Sequence, residues 1–221
     1  MYYNPTCKKP NDRNCEWGNM TKETKFDRSV VNDLMASAKT HFLENGYEKA
    51  SLRKICSSAG VTTGALYFSF ANKEALFDAL VGPTLQKMDA VLDDLEQKVL
   101  KEKGKNFDAN RFNDFIFRFL VDNKDGIRLL MARAQGSRYE DYAQKIHLHV
   151  ERLMAYYAKT VGGVDVDPEL VSILTNMYFT AVSDLISRDY DDEELYAMAG
   201  ALRTCMEEGF YAMLRRQKEK G

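Results

Sequence analysis

No apolar run in these 221 residues approaches the ~18 needed to cross a bilayer. The opening stretch, MYYNPTCKKPNDRNCEWGN, has no apolar segment of the kind a secretory signal carries. Cysteine is scarce and scattered. Cys7, Cys15, Cys56 and Cys205 show no CxxC spacing, so neither a zinc site nor a redox pair is implied. Free thiols suit a reducing compartment, so the expected location is the cytoplasm, with no membrane partner. Also missing are a serine nucleophile elbow, a phosphate-binding loop, a metal-ligand set and a dinucleotide fingerprint. Those absences argue against an enzyme, and no cofactor or metal is expected. His147 and His149 lie two apart and do not share a helix face. The acidic run DYDDEE at 189–194 lacks the glycine and ligand spacing of a calcium loop, and acids at a helix N-terminus need no ion.

Net charge is small as well, −2 from 31 basic and 33 acidic residues, which excludes a uniformly basic coat for nucleic acid. Residues 1–81 carry 11 basic and 9 acidic side chains, whereas 82–221 carry 20 and 24. Between 49 and 73 stand Lys49, Arg53, Lys54 and Lys73 with no acid, a small basic island on a mildly acidic body. A solvated helix face would look the same. With 45% hydrophobic residues, the chain is long and apolar enough for a substantial core.

What the sequence does have is helical periodicity. Residues 1–19 are polar and unpatterned, with Pro5 and Pro10, and 1–28 is expected to be a flexible tail. From Ser29 onward, Val30, Val31, Leu34, Ala38 and Phe42 recur at helical spacing, with Asp27 or Ser29 as the cap. Gly46 suits the left-handed position that ends a helix. SLRKICSSA predicts a second helix capped by Ser51, with Leu52, Ile55 and Ala59 inward. Gly60-Val61 makes a tight turn, Thr62 caps a third helix, and Asn72 caps a fourth. Further helices are expected at roughly 73–99, 107–122, 124–135, 138–161, 168–188 and 191–217, with no strand alternation between them. A kink or break is expected at Gly82-Pro83, where proline removes a helical hydrogen bond at a cost of ~3 kcal/mol. The fold class is therefore all-α. A tail to residue 28 precedes a three-helix unit over 29–81, and a helical body fills 82–221.

The stretch GVTTGALYFSF at 60–70 stands out. Leu66 and Phe70, four apart, form the inward side of a short helix, which puts Thr63, Gly64, Tyr67 and Phe68 on the other side. Three short helices, the last two joined by a glycine-containing turn, describe a helix-turn-helix. Outward aromatics near a helix N-terminus, beside a glycine that permits close approach, suit contact with DNA. Packing of Tyr67 and Phe68 on a neighbouring domain would leave the same pattern.

The segment FLENGYEKASLRKICSSAGVTTGALYFSFANKEALFDAL closely resembles the DNA-binding segment of the tetracycline-repressor (TetR-like) family of transcription regulators. The resemblance covers residues 29–80 and rests on Phe42, Gly46-Tyr47, Ser51, Ile55, Ala59-Gly60-Val61, Gly64, Leu66-Tyr67, Phe70 and Lys73-Glu74-Ala75-Leu76. It implies a homodimer with the third helix of each subunit in the major groove of a roughly palindromic double-stranded DNA operator. The DNA-facing positions of the family fall on Thr62, Thr63, Gly64, Tyr67, Phe68, Ser69 and Lys73, with Ser51 and Arg53 on the second helix. By chemistry, Lys73, Tyr67, Ser51 and Thr62 suit phosphates, and Thr63, Gly64 and Phe68 suit base edges. Arg53 suits either. Two departures stand out: Ser69 replaces a common histidine and reaches less far, and Cys56 replaces a common alanine, as a small core residue.

In the body, Phe112, Phe115, Phe119, Met131, Tyr139, Tyr142, Met154 and Tyr157 could line an apolar pocket for a small-molecule effector, or form plain core. Arg118, Arg128 and Arg133 could meet an anionic ligand or sit at the surface. Leu174, Tyr178, Val182, Leu185, Met198, Leu202 and Met206 lie on apolar stripes of the last two helices. The resemblance assigns them to a four-helix dimer interface, whereas burial within one subunit would produce the same stripes. The function expected is a ligand-responsive regulator, a repressor released from DNA when an effector binds. The alternative is an all-helical enzyme or small-molecule carrier with a vestigial helix-turn-helix.

Overall fold

The computed structural model describes residues 22–101, 109–160, 162–188 and 190–219. Among them are nine α-helices, one short π-helical stretch and no strand, so the all-α expectation holds. Cys7 and Cys15 lie outside the described residues, as does the stretch 1–19, and the side chain of Asp27 is likewise not described. The chain divides into two compact units, one ending at Gly82 and the other beginning at Pro83.

The first unit contains α1 (Lys22–Lys49), α2 (Leu52–Ser58), α3 (Thr63–Ser69) and the start of α4 (Lys73–Glu96). Helix α1 begins at Lys22, eight residues before Val30, the first residue of the apolar stripe, since polar residues can extend a helix without adding to its buried face. Gly46, at φ 74, breaks its helical geometry near the end. At seven residues each, α2 and α3 are too short to persist alone, so packing must hold them. Leu34, Ala38, Phe42, Ile55, Leu66, Leu76 and Phe77 are completely buried here. Each large side chain among them contributes about 1.5–3 kcal/mol by leaving water. The Phe42 and Phe77 rings meet edge to face at 5.0 Å, and Tyr47 meets Phe77 at 5.1 Å. Cys56 is a buried small core residue, and burial pushes its thiol pKa up.

The turn between α2 and α3 has a defined chemistry. Val61 N–H donates to Cys56 O and Gly60 N–H to Ser57 O, the paired bonds of a Schellman ending. Gly60 takes φ 67, which glycine adopts without strain. Thr62 Oγ1 accepts from Ala65 N–H and starts α3, and Asn72 Oδ1 accepts from Ala75 N–H and starts α4. Ser51 occupies the N-cap position of α2 in extended geometry, but its side chain makes no capping bond. Phe70 is only half-buried, because the chain has left the helix there and turned to φ −134.

The expected break at Gly82-Pro83 is absent. Helix α4 runs through both residues, although the seam between the two units falls there, beside the expected boundary. Pro83 is exposed, so the hydrogen bond it cannot donate is lost at the surface rather than in the core.

The second unit holds the rest of α4, the π stretch Gln97–Lys101, α5 (Ala109–Asp122), α6 (Lys124–Ala132), α7 (Tyr142–Thr160), α8 (Pro168–Ser187) and α9 (Asp192–Lys218). Helix α7 begins four residues later than its apolar pattern suggests. Ser137 Oγ donates to Ala134 O and accepts from Tyr139 N–H, which holds the chain in a turn. Asp167 caps α8 through Glu169 N–H. Asp191 and Glu194 form a reciprocal capping box at the start of α9, which gives this part of the acidic run a helix-starting role.

By length and composition α8 is apolar enough to cross a membrane, against the sequence-based expectation. One face of it packs against α6, α7 and α9, with Val171, Thr175, Val182 and Ile186 buried, while Ile173 and Met177 are exposed. The core of this unit gathers in three clusters. Met88, Phe119, Ile127, Ile146 and Val182 anchor the largest, Ala158, Val171 and Leu214 a second, and Phe117, Val121, Leu195 and Ala199 a third.

Candidate functional site

Helix α3 has one buried face and one bare one. Leu66 is completely buried, whereas Thr62, Thr63, Gly64, Tyr67 and Phe68 are all exposed. Phe68 is 82% exposed and Tyr67 58%. A phenylalanine so placed adds nothing to the core of its unit, and an exposed aromatic beside a polar turn is the mark of a contact surface. A Cβ at Gly64 would meet only Thr62 Oγ1, at 3.7 Å, so no neighbour inside the protein demands glycine there.

The remaining candidate contacts are placed differently. Ser69 is half-buried and donates its hydroxyl back to Ala65 O at 3.3 Å, a local bond available to a short hydroxyl side chain. Ser51 is half-buried and Arg53 is exposed on α2. Lys73 is not a free surface cation: its Nζ donates to Glu48 O at 2.9 Å and lies 4.6 Å from the centre of the Tyr47 ring. Burial pulls its pKa down. Tyr47 in turn donates to Glu74 Oε2 at 2.7 Å, and burial followed by that bond pushes its phenol up to about 12. The end of α1 is thus tied to the start of α4 beside the candidate face.

The second unit contains a cavity of about 1090 Å³, ample for a drug-sized ligand. Its wall is mainly apolar, with Met88, Ile116, Leu120, Leu153 and Phe179 among the lining residues. Of the residues expected to line a pocket, Met131, Met154 and Tyr157 do so. Phe119 is buried in the main core cluster, and Tyr142 packs against the same cluster with its hydroxyl turned to Asp89. Tyr139 sits in the turn before α7, and Phe115 is 51% exposed. Phe112 belongs to α5, but its side chain lies outside the described residues. Helix α5 instead presents Ile116, Phe117 and Leu120 to the cavity, a rotation the aromatic pattern does not reveal. Arg118, Arg128 and Arg133 are not among the lining residues, whereas His147, weighed in the sequence only as half of a metal pair, and Arg203 and Glu207, which no sequence pattern singled out, are.

The stripes assigned to a dimer interface also turn inward. Val182 is buried, Tyr178, Leu185 and Leu202 pack on core clusters, and Leu174 and Met206 line the cavity. Burial pushes the Tyr178 hydroxyl pKa up to about 12. Met198 alone of the set is half exposed; Ile173, Met177 and Tyr196 are exposed as well, Met177 also lining the cavity.

A helix-turn-helix with a bare reading face, joined to an all-helical unit enclosing an apolar cavity, defines a class of DNA-binding regulators. Residues 34–80 match the family described as bacterial regulatory proteins, tetR family. The HTH-type transcriptional regulator UidR of Escherichia coli (strain K12) is 36% identical over 186 residues, 80% of this chain and 88% of that protein. The uncharacterized HTH-type transcriptional regulator YerO of Bacillus subtilis (strain 168) is 29% identical over 119 residues, 51% of this chain, and the match spans 39% of that protein's length. Among solved structures, a TetR family transcriptional regulator from Chloroflexus aurantiacus J-10-FL shares the fold. Its TM-score is 0.56 at 19% identity, covering 90% of this chain and 94% of that one. The chain belongs to the tetR family of transcriptional regulators.

Proposed function

We propose that this protein is a cytoplasmic homodimeric repressor that occupies a roughly palindromic DNA operator and leaves it when a small molecule fills the cavity. The observation that carries the reading is the exposure of Tyr67 and Phe68 on a helix that buries Leu66 completely on its opposite side. Thr63, Gly64 and Phe68 would approach base edges, while Tyr67, Thr62, Ser51 and Arg53 would hold phosphates. Ser69, bonded to its own helix, would reach DNA only through water. No catalytic step is part of this reading. The effector acts by population shift, favouring a dimer whose reading helices are no longer one DNA turn, ~34–36 Å, apart. The Gly82-Pro83 segment of α4 is where that change would be transmitted. A salt-sensitive mobility shift with DNA from beside its own gene tests the reading. Failure to bind that DNA at low salt, with the protein folded, would favour a small-molecule carrier instead.

Lys73 gives a sharper test. On this reading its ammonium leaves the Glu48 carbonyl for a phosphate when DNA arrives. Lys73→Ala should therefore weaken binding to all sequences alike and lower the slope of log affinity against log salt by about 1. An unchanged slope would mean that Lys73 stays on α1.

The dimer would form through the outer faces of α8 and α9, where Ile173, Tyr196 and Met198 are exposed beside the small Ala197 and Ala201. Ile173→Glu with Met198→Glu would place unpaired carboxylates in that contact. The expected result is at least ~100-fold weaker self-association by sedimentation, with unchanged helix content, because a buried unpaired charge costs about 3–5 kcal/mol.

A further inference from the structure

The polar groups on the cavity wall differ in how well they are partnered. Glu207, on α9, has a side chain only 9% exposed, and one of its carboxylate oxygens, Oε2, accepts from Arg203 Nη1 at 3.0 Å. The two residues are four apart, so their heads share one helix face. The other oxygen, Oε1, is buried and has no hydrogen-bond partner among the described residues. His147, on α7, repeats the pattern. Its Nδ1 lies 3.7 Å from Glu151 Oε2, its ring packs 5.1 Å from Phe179, and its Nε2 is buried without a partner. With the ring proton on Nδ1, facing the Glu151 carboxylate, Nε2 is an acceptor.

The charges on the wall are otherwise compensated. Arg203 and Glu207 neutralise each other, and Asp184, at the cavity edge, is paired with Arg188 at 2.8 Å. An ionic ligand would find no counter-charge waiting, and a cation drawn to Glu207 would be repelled by Arg203. A hydrogen-bond donor, in contrast, would relieve the cost of a buried acceptor left unsatisfied. Glu207 is among the lining residues and the terminal torsion of a glutamate is soft, so a turn of its carboxylate would bring Oε1 to a donor in the cavity.

We infer that the effector is an uncharged, mainly apolar molecule carrying a hydroxyl or N–H group, and that Glu207 accepts a hydrogen bond from that group. This rests on the reading of the cavity as the effector site. It goes further by naming the chemistry of the molecule and the residue that selects it.

Four probes sharing one apolar body test it by calorimetry on the full-length protein without DNA: 4-octylphenol, its methyl ether, 4-octylbenzoate and 4-octylbenzylammonium. The phenol should bind at least about tenfold tighter than the ether, which lacks only the donor, and tighter than either ion. Glu207→Met should bring phenol and ether to within about twofold of each other while the ether keeps its wild-type affinity, which also shows that the cavity is intact. Glu207→Gln retains an acceptor oxygen and should keep part of the preference. Equal binding of phenol and ether by the wild-type protein overturns the inference while leaving the cavity as a binding site. Tighter binding of either ion also overturns it. If none of the four binds, the cavity reading itself falls, and the inference with it, whatever the protein does with DNA.

Discussion

Phe68→Ala is expected to leave the melting temperature of the protein unchanged and to lower operator affinity about 10- to 100-fold. The two halves of this result follow from one observation. Phe68 is 82% exposed, so its removal opens no cavity and uncovers no core, and a surface change of this kind stays within about 0.5 kcal/mol. In the DNA complex the ring would lose its water against base edges or a thymine methyl, and base-edge contacts discriminate by about 1–3 kcal/mol each. The loss should be greatest for the preferred operator and small for unrelated DNA, because phosphate contacts remain. Anisotropy titrations at one salt concentration, alongside thermal unfolding, separate the two terms. Leu66→Ala two residues earlier makes the contrast. It is completely buried, and its truncation should cost about 2–5 kcal/mol in stability before any DNA is added. If Phe68→Ala binds the operator as tightly as the parent, the outward face of α3 does not read DNA.

The second large effect concerns Gly126 in α6. Within the second unit, a Cβ at this position would lie 2.0 Å from Thr84 Oγ1 and 2.7 Å from Thr84 Cβ, far inside contact distance. In an open helix, glycine to alanine stabilises by about 0.5–1 kcal/mol. Here the sign should reverse. Rotation of the Thr84 side chain can move Oγ1 but not Cβ, so the helices must separate, and overpacking of this kind costs about 1–3 kcal/mol. Gly126→Ala should therefore lower the melting temperature by about 2–4 °C for each kcal/mol lost. Gly82→Ala is the matched control in α4, since nothing lies within 4 Å of its added Cβ, and it should unfold at the same temperature or slightly higher. A stabilised Gly126→Ala protein would show that the close approach of α6 to Thr84 is not maintained in solution.

The two units were legible in the sequence to very different degrees. In the first, Leu34, Ala38, Phe42, Ile55 and Leu66 lie inward as their spacing predicts, and Thr62 and Asn72 cap as their chemistry predicts. What the sequence did not reveal there was which partner each polar side chain takes in the protein without DNA. Ser51 leaves its cap unmade, Ser69 bonds its own helix, and Lys73 takes the Glu48 carbonyl. A hydroxyl or ammonium can serve several partners of similar energy, and residue type alone does not rank them.

In the second unit the helices were found, but their rotation was not. Helix α5 carries apolar side chains on more than one face, so periodicity relates one residue to the next by 100° without saying which direction is inward. Phe115 and Phe119 are four apart, yet one is exposed and the other buried. The choice depends on partners far along the chain, such as Tyr178, whose ring meets Phe117 edge to face at 6.4 Å. The same holds for α8 and α9, whose longest stripes turn to the core and leave Ile173, Met177 and Met198 outside. Local spacing was thus sufficient for helix class, for the tight turn at Gly60-Val61, and for the bare face of α3, because seven-residue helices joined by tight turns have one way to bury one stripe. The cavity came from long-range packing, as did the burial of the Glu207 side chain on its wall. There, several rotations satisfy each helix separately, and only the set that buries the most apolar area together survives.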